Sequence, residues 1–133
     1  MAELDADDLN VNEKDKKSIL IILRHSPYGS GLAKVAVDAA LASAAFGQAV
    51  DLLFLGEGVL QLMPDQDTHK LGVRNIGKQL ASLPLYDVDS VFVDKEAAER
   101  YRMDLSKAPV TARSLEPREL RQLMAQYDHL LGF

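Results

Sequence analysis

The chain has 133 residues, no cysteine, 47% apolar and 26% charged residues, and a formal net charge of −5. That length suits one domain able to bury a core without staples, and the missing sulfur excludes disulfides, thiolate metal sites, cysteine nucleophiles and persulfide carriage on this chain. No apolar run approaches the ~20 residues of a membrane helix, and the polar, acidic start is unlike a signal peptide, so a cytoplasmic protein is expected.

The charge is unevenly placed. Residues 1–16 hold Glu3, Asp5, Asp7, Asp8, Glu13 and Asp15 against Lys14 and Lys16, a net of −4 that leaves only −1 for the rest. With few large apolar groups and no period, this segment reads as a disordered acidic extension, with an acidic docking arm as the functional alternative. An α/β domain is expected over residues 17–133. Direct nucleic-acid binding is not, because no basic stripe with interleaved aromatics is present.

The domain opens with Ser18-Ile19-Leu20-Ile21-Ile22-Leu23, the continuous apolar run of a strand buried on both faces. A loop, His25 to Gly31, leads into a helix over residues 32–46. Leu32, Val35, Ala36, Ala39 and Ser43 fall on one face of it, and its alanines permit close packing on a sheet. Gly47 is placed to cap its end. A second strand spans residues 50–55.

The unusually apolar segment Gly56 to Pro64 follows. Its Val59, Leu60, Leu62 and Met63 are too crowded for one helical face, so either a neighbouring helix covers them or some point outward as an interface. Val73, Ile76, Leu80 and Leu83 mark another helix. Ser90-Val91-Phe92-Val93 is the third strand, with Asp94 at its end and a short helix following. Residues 109–113 read as a weak fourth strand, Leu120, Leu123, Met124 and Tyr127 as a last helical stripe, and residues 129–133 as a final strand.

Strand and helix alternate throughout, which predicts a single-domain three-layer α/β sandwich with a mostly parallel five-stranded sheet in flavodoxin-like order. In such sheets the working surface lies at the carboxyl ends of the strands. The Pro27-Tyr28-Gly29 loop, the Gly56 to Pro64 segment and Asp94 should meet there.

Few catalytic chemistries fit these residues. Gly29-Ser30-Gly31 is followed by Leu32-Ala33-Lys34, which is neither a Walker loop nor a dinucleotide fingerprint. A tight turn opening a helix explains it, with anion binding by its backbone N–H groups as the alternative. Arg24-His25 stands where a receiver domain needs an acidic pair. His25, His69 and His129 lack metal-pair spacing, so no metal is expected, and only His25 sits where an acid/base would. No G-x-S-x-G elbow is present. Asp94 suits a helix N-cap, with a ligand or partner contact as the alternative. A small-ligand or nucleotide-binding domain using Gly29, Gly31 and Asp94 is the competing class, and an orphan homo-oligomer of the same fold a third.

Several of these segments together resemble the TusC/DsrF family of DsrE-like sulfur-relay proteins. They are Ser26-Pro27-Tyr28-Gly29, Ala44-Ala45-Phe46, the run from Leu53 through Gly56-Glu57-Gly58-Val59-Leu60-Gln61-Leu62, Gln66-Asp67, Tyr86-Asp87-Val88, Val91-Phe92-Val93-Asp94, and Tyr127-Asp128 to Phe133. The resemblance implies a DsrE-like fold and a non-catalytic place in a hetero-oligomer, a dimer of heterotrimers with sibling DsrE/TusD-like and DsrH/TusB-like subunits. Such complexes serve tRNA 2-thiouridine formation or sulfur oxidation, and no cofactor is implied. A sibling's reactive cysteine lies where this chain has Asp94. Pro27, Tyr28, Gly29, Gly58, Val59, Gln61 and Leu62 are the residues expected at the partner interface.

Overall fold

Ser18–Leu23 forms the first strand, β1, half-covered at its start and buried from Leu20 onward. Side chains alternate across a strand, so a run of this kind is apolar throughout only when both faces are covered. The computed structural model describes residues 18–29, 31–64 and 75–133. After β1 come helix α1 (Leu32–Ala45), β2 (Ala49–Phe54), a 3-10 segment (Gly56–Leu62), α2 (Ile76–Ala81) and a 3-10 turn (Leu83–Tyr86). Then follow β3 (Val91–Asp94), α3 (Lys95–Arg100), a third 3-10 turn (Leu105–Lys107), β4 (Arg113–Leu115), α4 (Pro117–Met124) and β5 (His129–Gly132). The expected α/β class holds, and every strand pair is parallel. The acidic residues 1–16, Gln66-Asp67 and the expected helical Val73 lie outside the described residues.

The strand order is β4-β3-β2-β1-β5, which corrects the flavodoxin-like order. In that order β1 would separate β2 from β3, whereas β2 here pairs with both. The first three crossovers each step to the next strand in one direction. The fourth returns across the whole sheet and lays β5 on the free side of β1. Right-handed crossovers running in opposite directions put their helices on opposite faces. Accordingly α1, α2 and α3 share one core with the 3-10 segment. Among the described residues helix α4 covers the other face, through Leu120 and Leu123 against Leu20, Ile22, Leu53 and Leu115. Periodicity decides which residues form strands but carries no information about which strands become neighbours.

Helix α1 also differs from expectation. Its buried residues are Ala33, Ala36, Val37 and Ala40, while Leu32 and Val35 stand 42% and 50% exposed. Small side chains let the helix axis come close to the sheet, so the alanine face seats and the bulkier face turns away. Gly47 ends the helix as expected. Its φ of 84° is left-handed, its N–H bonds Ala44 O at 2.9 Å, and Gln48 N–H bonds Ser43 O at 3.1 Å. That pair of bonds is a Schellman cap.

The fourth strand begins at Arg113 instead of residue 109. Pro109 has no N–H for a ladder, and buried Val110 packs into the α1 core as irregular chain.

Candidate functional site at the carboxyl edge of the sheet

The segments expected to meet at the carboxyl ends of the strands do meet. Leu55 N–H bonds Leu23 O at 2.9 Å, which carries the chain from β2 across the end of β1. Gly56 then turns with a left-handed φ of 51°. Gly58 lies so close beneath that a Cβ there would sit 1.9 Å from Leu23 O, so only glycine fits.

In the 3-10 segment three residues make a turn, and positions three apart stack on one side. Val59 and Leu62 therefore both enter the core, and with Gln61 they have no exposure at all. This decides the crowding noted in the sequence. Leu60 is half-buried, and Met63 alone stands well exposed, at 40%. Gln61 Nε2 donates to His25 O at 3.0 Å and so ties the segment to the loop after β1.

Of the residues expected at a partner surface, Pro27, Gly58, Val59, Gln61 and Leu62 are buried within the domain itself. They form the underside of the edge. Tyr28 is half-buried, with its hydroxyl accepting from Ile76 N–H at 3.2 Å, and Gly29 is exposed. His25 is half-buried, and its Nδ1 is enclosed with no hydrogen-bond partner among the described residues.

Asp94 closes the edge. Its Oδ1 accepts from Ala97 N–H at 3.3 Å, the N-cap bond expected for α3. Its Oδ2 accepts from Gly56 N–H at 3.4 Å. The second bond was not legible in the sequence. It makes the aspartate a brace between the end of β3 and the start of the 3-10 segment, 38 residues apart. Both oxygens are thus engaged by backbone, which suits a positioning role better than a free carboxylate. Among the described residues no cluster of His, Cys, Asp or Glu could hold a metal ion.

Away from this edge, Asp51 in the middle of β2 accepts from the Tyr127 hydroxyl just after α4. Burial pushes the Asp51 carboxyl above its ordinary range, the Tyr127 bond opposes this, and Asp89 adds to the rise. Burial, then the bond to Asp51, pushes the Tyr127 phenol well above its usual value. Asp128 accepts from Ser18 N–H at 2.9 Å, and its own N–H donates to Ser18 Oγ at 3.2 Å. Neither pair leaves a local sequence signal.

The DsrE/DsrF-like family matches residues 17–133. The chain belongs to that family. DsrE/DsrF-like relatives include the TusC homolog of Pseudomonas aeruginosa, 32% identical over 115 residues, which are 86% of this chain and 97% of that protein. The TusC homolog of Vibrio parahaemolyticus is 28% identical over 112 residues, 84% of this chain and 95% of that one. Among solved structures, the crystal structure of the ychN protein from E. coli has the same fold at a TM-score of 0.78 and 20% identity. It covers 88% of this chain and 99% of its own. A conserved protein of unknown function from Bacteroides thetaiotaomicron, BT1422, aligns at 0.65 with 12% identity, over 88% of this chain and 95% of that one. These two likenesses concern the fold. No helix among the described residues is long and apolar enough to cross a membrane.

Proposed function

We propose that the chain is a non-catalytic structural subunit of a heteromeric, cytoplasmic sulfur-relay complex acting in tRNA 2-thiouridine formation or intracellular sulfur oxidation. One observation carries the reading. A persulfide forms only on a thiolate sulfur, and the chain has no cysteine; on the resemblance to its siblings, the place of their reactive cysteine would fall at Asp94, whose two oxygens are bonded to backbone. An aspartate can hold that corner of the fold in shape but cannot receive sulfane sulfur.

The sulfur-bearing step then falls to a sibling subunit of the DsrE/TusD type, with a DsrH/TusB-like subunit completing a heterotrimer that pairs into a dimer. Family membership and the curated TusC homologs support this reading. The buried residues Val59, Gln61 and Leu62 contribute by fixing the edge beside which a sibling's cysteine would work.

The test is a sulfur-acceptance assay on the purified chain, offered a persulfide donor alone and then with co-expressed siblings. No labelled sulfur on the lone chain, with transfer restored in the complex, is the expected result. Sulfur transfer by the single chain, or failure to co-purify with any sibling, would overturn the proposal.

A further inference from the structure

Two large apolar side chains stand almost wholly in water, Phe46 at 86% and Leu85 at 84% exposure, and Tyr86 beside Leu85 is 43% exposed. Single exposed apolar groups are ordinary, but several gathered at one place are not. Phe46 follows the last turn of α1, three residues before β2 opens at Ala49. Leu85 and Tyr86 lie in the 3-10 turn ahead of β3, and Leu83 and Val88 on either side of them enter the core shared with α1. Strands β2 and β3 are paired neighbours, and α1 packs against that turn. The three side chains therefore belong to one layer at the amino edge of the sheet, opposite the edge that holds Asp94. Asp87 and Asp89, both exposed, give this patch an acidic margin.

Residues 1–17, which lie outside the described residues, join the domain at the same edge. Ser18 opens β1 in register with Ala49, and its N–H donates to Asp128 at 2.9 Å, which fixes the point where the segment leaves. Neighbouring strands are about 5 Å apart, so the start of β3 lies roughly 10 Å from that point. Val11 is seven residues before Ser18, a reach of up to about 23 Å in extended chain. The charge of the segment is divided. Glu3, Asp5, Asp7 and Asp8 put −4 on residues 1–8, whereas Lys14, Lys16 and Lys17 against Glu13 and Asp15 leave residues 9–17 at +1. Leu9 and Val11 are the apolar side chains of that nearer half, and alternate positions share a face when the chain is extended.

We propose that residues 9–17 fold back along the amino edge and lay Leu9 and Val11 on Phe46, Leu85 and Tyr86, with the lysines toward Asp87 and Asp89. Reach, sign of charge and tether select this occupant. A tethered segment meets its site at an effective concentration of order millimolar. A contact too small to hold a separate molecule therefore suffices to hold this one. The acidic residues 1–8 extend beyond the patch and take no part in the seating. This proposal does not rest on the sulfur-relay reading.

Tryptic cleavage after Lys14, Lys16 and Lys17 in the full chain tests it, because a protease cuts the released segment faster than the seated one. Phe46→Ser with Leu85→Ser, both at exposed positions, should speed cleavage about fivefold or more at unchanged circular dichroism. Leu9→Ser with Val11→Ser should do the same from the other side of the contact. That second pair should also raise binding of the apolar dye ANS, since it uncovers the patch, and the first pair should not. The rates should be the same at every protein concentration. Three results overturn the proposal: cleavage indifferent to both pairs, protection that grows with protein concentration and so comes from a second copy, and protection that appears only when another protein is added.

Discussion

The Tyr127 hydroxyl donates to the Asp51 carboxylate, joining the turn after α4 to the middle of β2 across 76 residues of sequence. Asp51 pairs in register with Leu20, so it lies on the face that α4 covers and is half-buried there. A carboxylate in that place is held by one hydroxyl and opposed by Asp89.

The sign of the resulting pH dependence follows from the raised Asp51 pKa. A carboxyl whose folded pKa exceeds its unfolded value contributes stability that is complete below about pH 4 and is lost as pH rises through the folded value. Asp51→Asn keeps an acceptor for Tyr127 and removes the charge. Its melting temperature at neutral pH should therefore equal or exceed that of the parent, with a flatter profile between mildly acidic and neutral pH. A clear loss of stability at pH 7 alone would contradict the account.

Tyr127→Phe leaves the carboxylate without its donor. Stranding a partly buried acceptor costs about 1–3 kcal/mol, and the loss should be larger at neutral than at acidic pH, where the carboxyl is protonated. The phenol titrates too. Because its pKa is raised on folding, the parent should lose stability above about pH 10 in a way that the phenylalanine variant does not. Urea unfolding at three pH values measures both effects.

Asp94→Ala should cost about 1–2 kcal/mol, the usual penalty for a lost N-cap, plus whatever the Gly56 bond adds. Asparagine caps a helix about as well but has one acceptor, so Asp94→Asn should recover the cap's share of the loss and not the share of the Gly56 bond. Equal damage from both changes would mean that the bond to Gly56, and not the cap, holds this corner.

Two glycines offer an internal contrast. Gly58→Ala puts a methyl 1.9 Å from Leu23 O, a backbone atom that cannot move without breaking β1 pairing. A loss above about 4 kcal/mol, most of the stability of a marginal domain, is expected. At Gly31 a Cβ meets nothing within 4 Å and φ is −72°. There alanine should be neutral or stabilising by up to about 1 kcal/mol through the unfolded chain. Soluble yield and denaturant midpoints distinguish the two.

Strands β1, β2, β3 and β5, the helices and the gathering of three segments at one edge were legible because each rests on local pattern, whereas β4 was expected four residues too early. The run Leu20 to Leu23 reads as a covered strand, and Gly47 reads as a cap, with no knowledge of the rest of the fold. Strand order was not legible, because nothing within β5 says that its neighbour lies at Ile19 to Ile22. The face of α1 was misjudged for a related reason: the larger side chains mark the greatest hydrophobicity, but close approach to a sheet selects alanine. The candidate site was half legible. Asp94 announced its cap, a bond three residues long, while its bond to Gly56 depends on tertiary geometry. The burial of Val59, Gln61 and Leu62 depended on the chain choosing a 3-10 turn where either a covered or an exposed segment was compatible with the residues.

The placement of β5 beside β1 has a temporal meaning for the growing chain. Strands β1 to β4 and their helices can assemble as they leave the ribosome, each beside the strand made just before it. Throughout that time the outer edge of β1 stays unpaired, because its partner lies 110 residues downstream, where Asp128 meets Ser18. At a synthesis rate of roughly 5–20 residues per second, β1 waits roughly 5–20 seconds for β5 to emerge. An apolar parallel strand with an open edge is then offered to any neighbouring nascent chain. Polysome crowding should therefore be a greater hazard to this protein than dilution from denaturant, where β1 and β5 are present together from the first instant.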